Sequence, residues 1–287
     1  MLAPAKINLY LHVAAPDSRG YHPLQSLVTF ADIGDEVTLL PAEAKLPLLS
    51  ITGPFAGGLE AGEGNLIVKA VRRFEAWTGI AIDKHRIELV KNLPLASGIG
   101  GGSADAGATL RSLRESYAPD MSDDDLATIA GQTGADGVMC LWSRPAFAEG
   151  YGERITPVSL PPVNAIMINP GVECPTAQVY GGFDALGHVH EIDAAAEFEG
   201  VNDIHALIAA LSHTRNDLQA PAIALQTAIA DVLTLLEAQD ETLFARMSGS
   251  GATCFALCET AEAAEALGVR MQAMLPGAWV RNCRLGG

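Results

Sequence analysis

Four of the five residues from Gly98 to Gly102 are glycine, at positions 98, 100, 101 and 102. Losing Cβ atoms at that density lets backbone N–H groups converge on an anion and lets the chain approach it closely. Downstream, Ala106, Leu110 and Leu113 recur at i, i+4 and i+7, the spacing of an amphipathic helix. A helix beginning near Ser103 adds unpaired N–H groups and the positive end of its dipole. The stretch Leu93-Pro94-Leu95-Ala96-Ser97-Gly98-Ile99-Gly100-Gly101-Gly102-Ser103-Ala104 therefore reads as a phosphate cradle made of main chain. Two familiar alternatives fail on the letters. A P-loop requires Gly-x4-Gly-Lys-Ser/Thr and no lysine follows these glycines, while the dinucleotide fingerprint requires a third glycine where Ser103 stands.

Metal chemistry finds little support. The five cysteines (Cys140, Cys174, Cys254, Cys258, Cys283) form no Cys-x-x-Cys pair and read as small buried hydrophobes. His188-Val189-His190-Glu191 has an extended spacing with nothing near it to complete a coordination set, and reads as a solvated loop.

The elements that must position the loop follow from periodicity. Strands are expected over 7–13 and 36–40, joined by a long connection that carries Arg19-Gly20-Tyr21-His22. A helix is expected over 65–77, with Leu66, Ala70 and Phe74 on one face, then a strand over 86–93 that leads into the glycine loop. Ser122 before Asp123-Asp124-Asp125 is a helix start: the hydroxyl caps free N–H groups and the acids suit the dipole. Prolines between 157 and 162 mark a domain boundary. Beyond it come a strand over 165–169, one helix over 221–239, a strand over 254–257, a helix over 261–275 and a strand near 279–284. This order favours an α+β fold over a doubly wound parallel sheet. Two domains are expected, 1–157 and 158–287, with the last strand able to return to the first.

The chain has 287 residues and 49% apolar content, enough for a substantial core. Lys plus Arg number 18 against 34 Asp plus Glu, a formal charge of −16, which argues against nucleic acid or an anionic membrane as partner. Any phosphate must then be held by local geometry. The first residues lack a basic flank followed by a long apolar core, and no run of about 18 uncharged apolar residues occurs, so a cytoplasmic protein is expected, as a monomer or weak dimer.

Pro94 to Ala104 resembles the ATP-binding signature of the GHMP kinases (galactokinase, homoserine kinase, mevalonate kinase and phosphomevalonate kinase). Three further segments resemble the branch of that family that acts on a cytidine diphosphate ester of methylerythritol. They are Pro4-Ala5-Lys6-Ile7-Asn8-Leu9 with Gly20-Tyr21-His22-Pro23-Leu24-Gln25-Ser26, then Thr133-Gly134-Ala135-Asp136, then Met247-Ser248-Gly249-Ser250-Gly251-Ala252-Thr253. Shorter matches at Gly64-Asn65-Leu66-Ile67, Ala148 to Glu153, Asn169-Pro170-Gly171 and Arg215-Asn216-Asp217-Leu218 spread the likeness over nearly the whole chain.

The resemblance implies the GHMP kinase fold: an N-terminal domain like one found in a ribosomal protein, and a ferredoxin-like C-terminal α/β sandwich. It implies ATP and Mg2+ as cofactors. It assigns Asp136 as base and Lys6 as the cation that polarises the hydroxyl or bridges to the phosphoryl oxygens; read alone, these would be a turn residue and a surface lysine. For ATP it implies the loop from Pro94 to Ala104 with Lys91, Asn65 and Leu66, and Ser103 as a magnesium ligand. For the substrate it implies Tyr21 stacking on cytosine, His22 at its edge, Tyr180 as a second aromatic, Asn8 at the methylerythritol end, and Gly249 and Ser250 closing the region. His12 reads as structural. Other readings on the same fold are a homoserine or mevalonate type of kinase, and a non-catalytic nucleotide-binding regulator. One departure stands out: Gly137-Val138 follows Asp136 where the family normally continues Val-Pro. Proline fixes φ and glycine loosens it, so a less constrained carboxylate is expected.

Overall fold

A computed structural model describes residues 1–43, 46–187, 198 and 200–286. The chain divides into two compact units: Met1–Lys6, Ile33–Leu95 and Gly100–Ser143 form the first, and Ile7–Asp32, Ala96–Ile99 and Arg144–Gly287 form the second. Strand β1 (Leu2–Val13) contributes to both, as does β2 (Leu24–Pro41), with which it pairs.

In the first unit the end of β2 runs antiparallel to β4 (His85–Val90), from Glu36 opposite Val90 to Pro41 opposite His85. The short β3 (Leu49–Thr52) pairs parallel on the far side of β4. Four helices complete the unit: α1 (Leu66–Thr78), α2 (Gly101–Tyr117), α3 (Asp123–Thr133) and α4 (Gly137–Trp142). Helix α1 buries Ile67, Ala70, Val71 and Phe74, a 3–4 spacing that puts one stripe inward, and stops at Gly79 in the left-handed region (φ 69°). Ala106, Leu110 and Leu113 of α2 are buried as their spacing requires, and Ser122 caps α3 by accepting from the Asp125 N–H.

In the second unit β10 (Trp279–Leu285), β7 (Val163–Asn169), β9 (Cys254–Cys258) and β8 (Phe244–Met247) form an antiparallel run in that order. The end of β10 also reaches β2, Leu285 opposite Ala31. The start of β2 pairs with β5 (Ala146–Gly150), which forms a hairpin with β6 (Arg154–Pro157). Helices α5 (Thr176–Ala185), α6 (Ile204–Leu211), α7 (Gln219–Leu225), α8 (Ala228–Glu237) and α9 (Ala261–Met274) belong here. Leu11, Val13, Ile166, Ile168, Phe183, Val232, Met247 and Leu267 build its core.

Two expectations are corrected. The single helix over 221–239 is two: Gln226 turns extended (φ −139°, ψ 93°) and its side-chain amide donates to the Glu173 carbonyl, so the chain breaks between α7 and α8. The connection after β1 is also shorter than expected, because β2 starts at Leu24 and its first half pairs with the distant β5. The His188 to Glu191 segment lies outside the described residues. No helix among the described residues is long and apolar enough to cross a membrane.

Candidate active site

Lys6 and Asp136 meet in the first unit. The ammonium donates to Asp136 Oδ2 at 2.9 Å; the lysine side chain is 8% exposed and the aspartate 34%, so one carboxylate face stays open to water. Burial pulls the Lys6 pKa down, but the charge of Asp136 and their hydrogen bond outweigh it and hold the pKa above 10.5. Lys6 is therefore a cation at neutral pH, and the carboxylate is the member of the pair able to accept a proton.

The Gly137 departure has a steric explanation. A Cβ at Gly137 would lie 2.0 Å from the Ala130 carbonyl oxygen of α3, so the start of α4 packs backbone to backbone. Asp136 stands at the N-cap position of α4 (φ −85°, ψ 6°) and is tied to Lys6. Helix packing at Gly137 and an ion pair at Asp136 thus constrain the chain where the departure lies. Gly34 and Gly107 are similarly tight, with their missing Cβ atoms 2.1 Å from Ala3 O and 2.7 Å from Cys140 O.

Gly100, at φ 65°, is the N-cap residue of α2, and a Cβ there would fall 3.1 Å from Lys6 Cβ. In α1, α3, α6 and α9 a side chain of Asn65, Ser122, Asp203 or Thr260 caps the first turn; in α2 none does. The first intrahelical bond joins the Ala104 N–H to Gly100 O, leaving Gly101, Gly102 and Ser103 with N–H groups that precede it. An uncapped, glycine-walled helix N-terminus beside a lysine suits a phosphate chain. The helix starts at Gly101, two residues earlier than expected.

Lys91, expected near the nucleoside, is 2% exposed and committed to two carboxylates, Asp35 and Asp105 (2.8 Å to the latter). Asp35 also accepts from the N–H groups of Asn92 and Leu93 at 2.6 and 2.8 Å, turning the chain out of β4 toward the glycine loop. A Cβ on Gly101 would sit 3.0 Å from Lys91 Nζ, so this cluster lies under the first turn of α2. Burial pushes the Asp105 carboxyl up to about 7, against the pull of Lys91. Asn65 is spent locally: its side chain accepts from Ile67 N–H and donates to Glu60 O. Leu66 is half-buried and lies against Gly102, whose Cβ would come 3.3 Å from it.

In the second unit, Ala96 (φ 46°) and Gly98 (φ 74°) continue the loop. Gly98 faces the 248–251 turn: a Cβ would lie 2.5 Å from Ser248 O. The Ser248 hydroxyl accepts from the Asn8 N–H and donates to Gly98 O, both at 3.1 Å. Gly249 (φ 56°) has its Cβ position 2.8 Å from Gly98 O and 3.3 Å from Asn8 Oδ1, and Asn216 donates to the Met247 and Gly249 carbonyls, bracing the turn. Ser250 bonds the Thr176 hydroxyl at 2.9 Å. Asn8, 5% exposed, donates to Ser26. His12 is buried and accepts from the Arg215 N–H.

Tyr21 is 63% exposed, whereas the neighbouring His22 ring lies 4.8 Å from Tyr180 and hydrogen-bonds Asp184 at 2.7 Å. A carboxylate only accepts, so Nε2 of His22 carries the proton. The structure thus groups Tyr180 with His22. Asp35, Asp105, Asp184, Asp17 and Tyr151 were not singled out in the sequence; each acts on a partner far along the chain.

Comparison with known proteins decides the family. Residues 65–144 match the GHMP kinases N terminal domain and residues 193–277 the GHMP kinases C terminal domain. A 4-diphosphocytidyl-2-C-methyl-D-erythritol kinase of Caulobacter sp. (strain K31) is 50% identical over 99% of this chain and 97% of its own. The chain belongs to the GHMP kinase family. Another kinase of the same description, from Paracoccus denitrificans, is 45% identical to this GHMP kinase over 97% of the chain and 93% of its own length. The crystal structure of a 4-(cytidine 5'-diphospho)-2C-methyl-D-erythritol kinase superposes with a TM-score of 0.80 at 31% identity, covering 100% and 99% of the two chains. A homoserine kinase from Cytophaga hutchinsonii shares the fold, with a TM-score of 0.68 at 21% identity over 98% of this chain and 92% of its own.

Proposed function

We propose that this GHMP kinase transfers the γ-phosphoryl group of ATP to the 2-hydroxyl of 4-diphosphocytidyl-2-C-methyl-D-erythritol, a step of the non-mevalonate route to isopentenyl diphosphate. The observation that carries the reading is the Lys6–Asp136 ion pair, 2.9 Å apart and next to Gly100 at the uncapped start of α2. Phosphoryl transfer needs a cradle, a positive charge on the moving group and an acceptor for the hydroxyl proton. The N–H groups of Gly101, Gly102 and Ser103 supply the cradle. Lys6 supplies the charge, and Asp136 takes the proton as the alcohol oxygen bonds to phosphorus and ADP leaves.

Magnesium takes one or two protein oxygens and the rest from phosphate and water. The described residues hold no cluster of three acidic, histidine or cysteine side chains suited to a metal, and Asp105 is already bound to Lys91. The donor that fits is the Ser103 hydroxyl, half-buried in the first turn of α2, with ATP oxygens completing the shell. A bound Mg2+ would neutralise charge on the phosphates.

Relatives named for the cytidylyl substrate, at up to 50% identity over the full chain, support the acceptor. The exposed Tyr21 ring offers a face for cytosine, with His22 and Tyr180 as neighbouring recognition groups and Asn8, Gly249 and Ser250 as the polar ones. We further place the protein in the cytoplasm as a monomer or weak dimer, and keep 1–157 and 158–287 as proposed domains; limited proteolysis that cuts elsewhere first would reject that division. The decisive assay couples ADP release to a reporter with and without the cytidylyl alcohol. ATP consumption only with that alcohol is expected; turnover of homoserine or mevalonate in its place would overturn the assignment.

A further inference from the structure

Tyr21 combines a widely exposed ring with a main chain held at both its N–H and its carbonyl. The restraint centres on Asp17, which sits on the connection between β1 and β2. Its carboxylate accepts from the N–H groups of Arg19 and Tyr21 at 2.8 and 3.0 Å, from Arg19 Nε at 2.9 Å and from the Tyr151 hydroxyl at 2.8 Å. The Asp17 N–H donates to Tyr21 O, and its own carbonyl accepts from Gly20, whose φ of 81° closes the turn. Tyr151, just past β5, stands edge-on to Tyr21 with ring centroids 6.1 Å apart. The Arg19 guanidinium lies 5.7 Å from the Tyr21 centroid and 5.1 Å from that of Tyr151.

Folding gains little from this arrangement. An aromatic ring left 63% exposed buries little apolar area, and exposed ion pairs such as Arg19–Asp17 contribute little net stability. Ordering a side chain at an interface costs conformational entropy, and a side chain ordered beforehand spares the ligand that cost. An exposed, flat ring whose main chain is tied down and which is flanked by a second ring and a cation is suited to a planar π-system.

We propose that Asp17, Arg19 and Tyr151 are positioning residues that hold Tyr21 as a preformed stacking face for the nucleobase of the acceptor substrate. The inference rests on the cytidylyl reading above and extends it to three residues outside the transfer chemistry. Tyr151→Phe removes one hydroxyl and keeps the ring. Asp17→Asn keeps the shape of the hub and removes its charge.

The test is a double-mutant cycle over Tyr21→Leu and Tyr151→Phe. It reads KM for the cytidylyl substrate, KM for ATP, melting temperature, and cytidine 5′-diphosphate affinity by calorimetry. Tyr151→Phe is expected to weaken cytidine diphosphate binding and raise the cytidylyl KM about threefold to tenfold, the scale of one hydrogen bond. KM for ATP and melting temperature should stay, and Tyr151→Phe should add nothing once Tyr21 is leucine. Asp17→Asn should behave in the same way. Equal binding by wild type and Tyr151→Phe, or an undiminished effect of Tyr151→Phe on the Tyr21→Leu background, overturns the inference while leaving the substrate assignment standing. Wild-type protein that neither binds cytidine diphosphate nor turns over the cytidylyl alcohol overturns the assignment and the inference together.

Discussion

The first unit contains two lysine–carboxylate groupings that differ in one respect. Lys6 and Asp136 form a pair with the aspartate 34% exposed; Lys91, Asp35 and Asp105 form a cluster whose side chains are 3%, 0% and 5% exposed. Open charge can meet a substrate and keeps its hydration. Sealed charge must find its partners inside the protein, and here they lie on β2, on α2 and at Lys91 just past β4, so the cluster joins the strand before the glycine loop to the helix after it. The proposed chemistry sits on the first grouping and architecture on the second, though the residue types are alike.

The largest expected effect breaks the open pair. Asp136→Ala or Lys6→Ala should lower kcat about 10²–10⁴-fold, the range for a positioned acid, base or charge. A loss below tenfold in steady-state assays would remove the pair from the transfer step. Next comes the sealed cluster: Lys91→Met leaves two buried carboxylates without their cation and should cost about 3–5 kcal/mol in urea unfolding. If Lys91→Met melted like wild type and only its KM for ATP rose, the cluster would be a nucleotide site after all.

The smallest effect is a pH slope. Burial raises the Asp105 carboxyl from 3.8 to about 7, so the folded state holds that proton more tightly than the unfolded chain. Its contribution is fully present below about 4 and is lost as pH rises toward 7. Wild type should therefore lose stability relative to Asp105→Asn across that window and run parallel to it above. Denaturant midpoints at intervals from pH 4 to 8 measure the slope; parallel curves throughout would show that the carboxyl ionises as freely in the fold as out of it.

What the sequence disclosed depended on whether the signal was local. The glycine loop and the Ser122 cap are each written within a few residues, and the structure has both; of the face expected on α1, Ala70 and Phe74 are buried and Leu66 is half-buried. The Lys6–Asp136 pair spans 130 residues and became visible only through resemblance of the two motifs that carry it. Asp35 had no such help: in Asp32-Ile33-Gly34-Asp35 the letters suggest a turn, yet β2 runs straight through. Gly34 is there because the Ala3 carbonyl occupies the space of its side chain, a constraint set by a strand far away in sequence. The length of β2, the break after α7 and the ring–hydroxyl contacts of Tyr151 likewise come from non-local partners.

Gly34, Gly107 and Gly137 have a consequence for how this enzyme can change over time. At each, main chain lies where a side chain would begin. These three positions of the first unit are thus closed to any side chain, because a substitution there breaks the packing. Tyr21, Arg19 and Tyr151 are exposed side chains, so a substitution there acts on the proposed stacking face and leaves the buried packing alone. Change in the family line is thereby steered away from these glycines and toward exposed positions, where a variant can fold and differ only in what it binds.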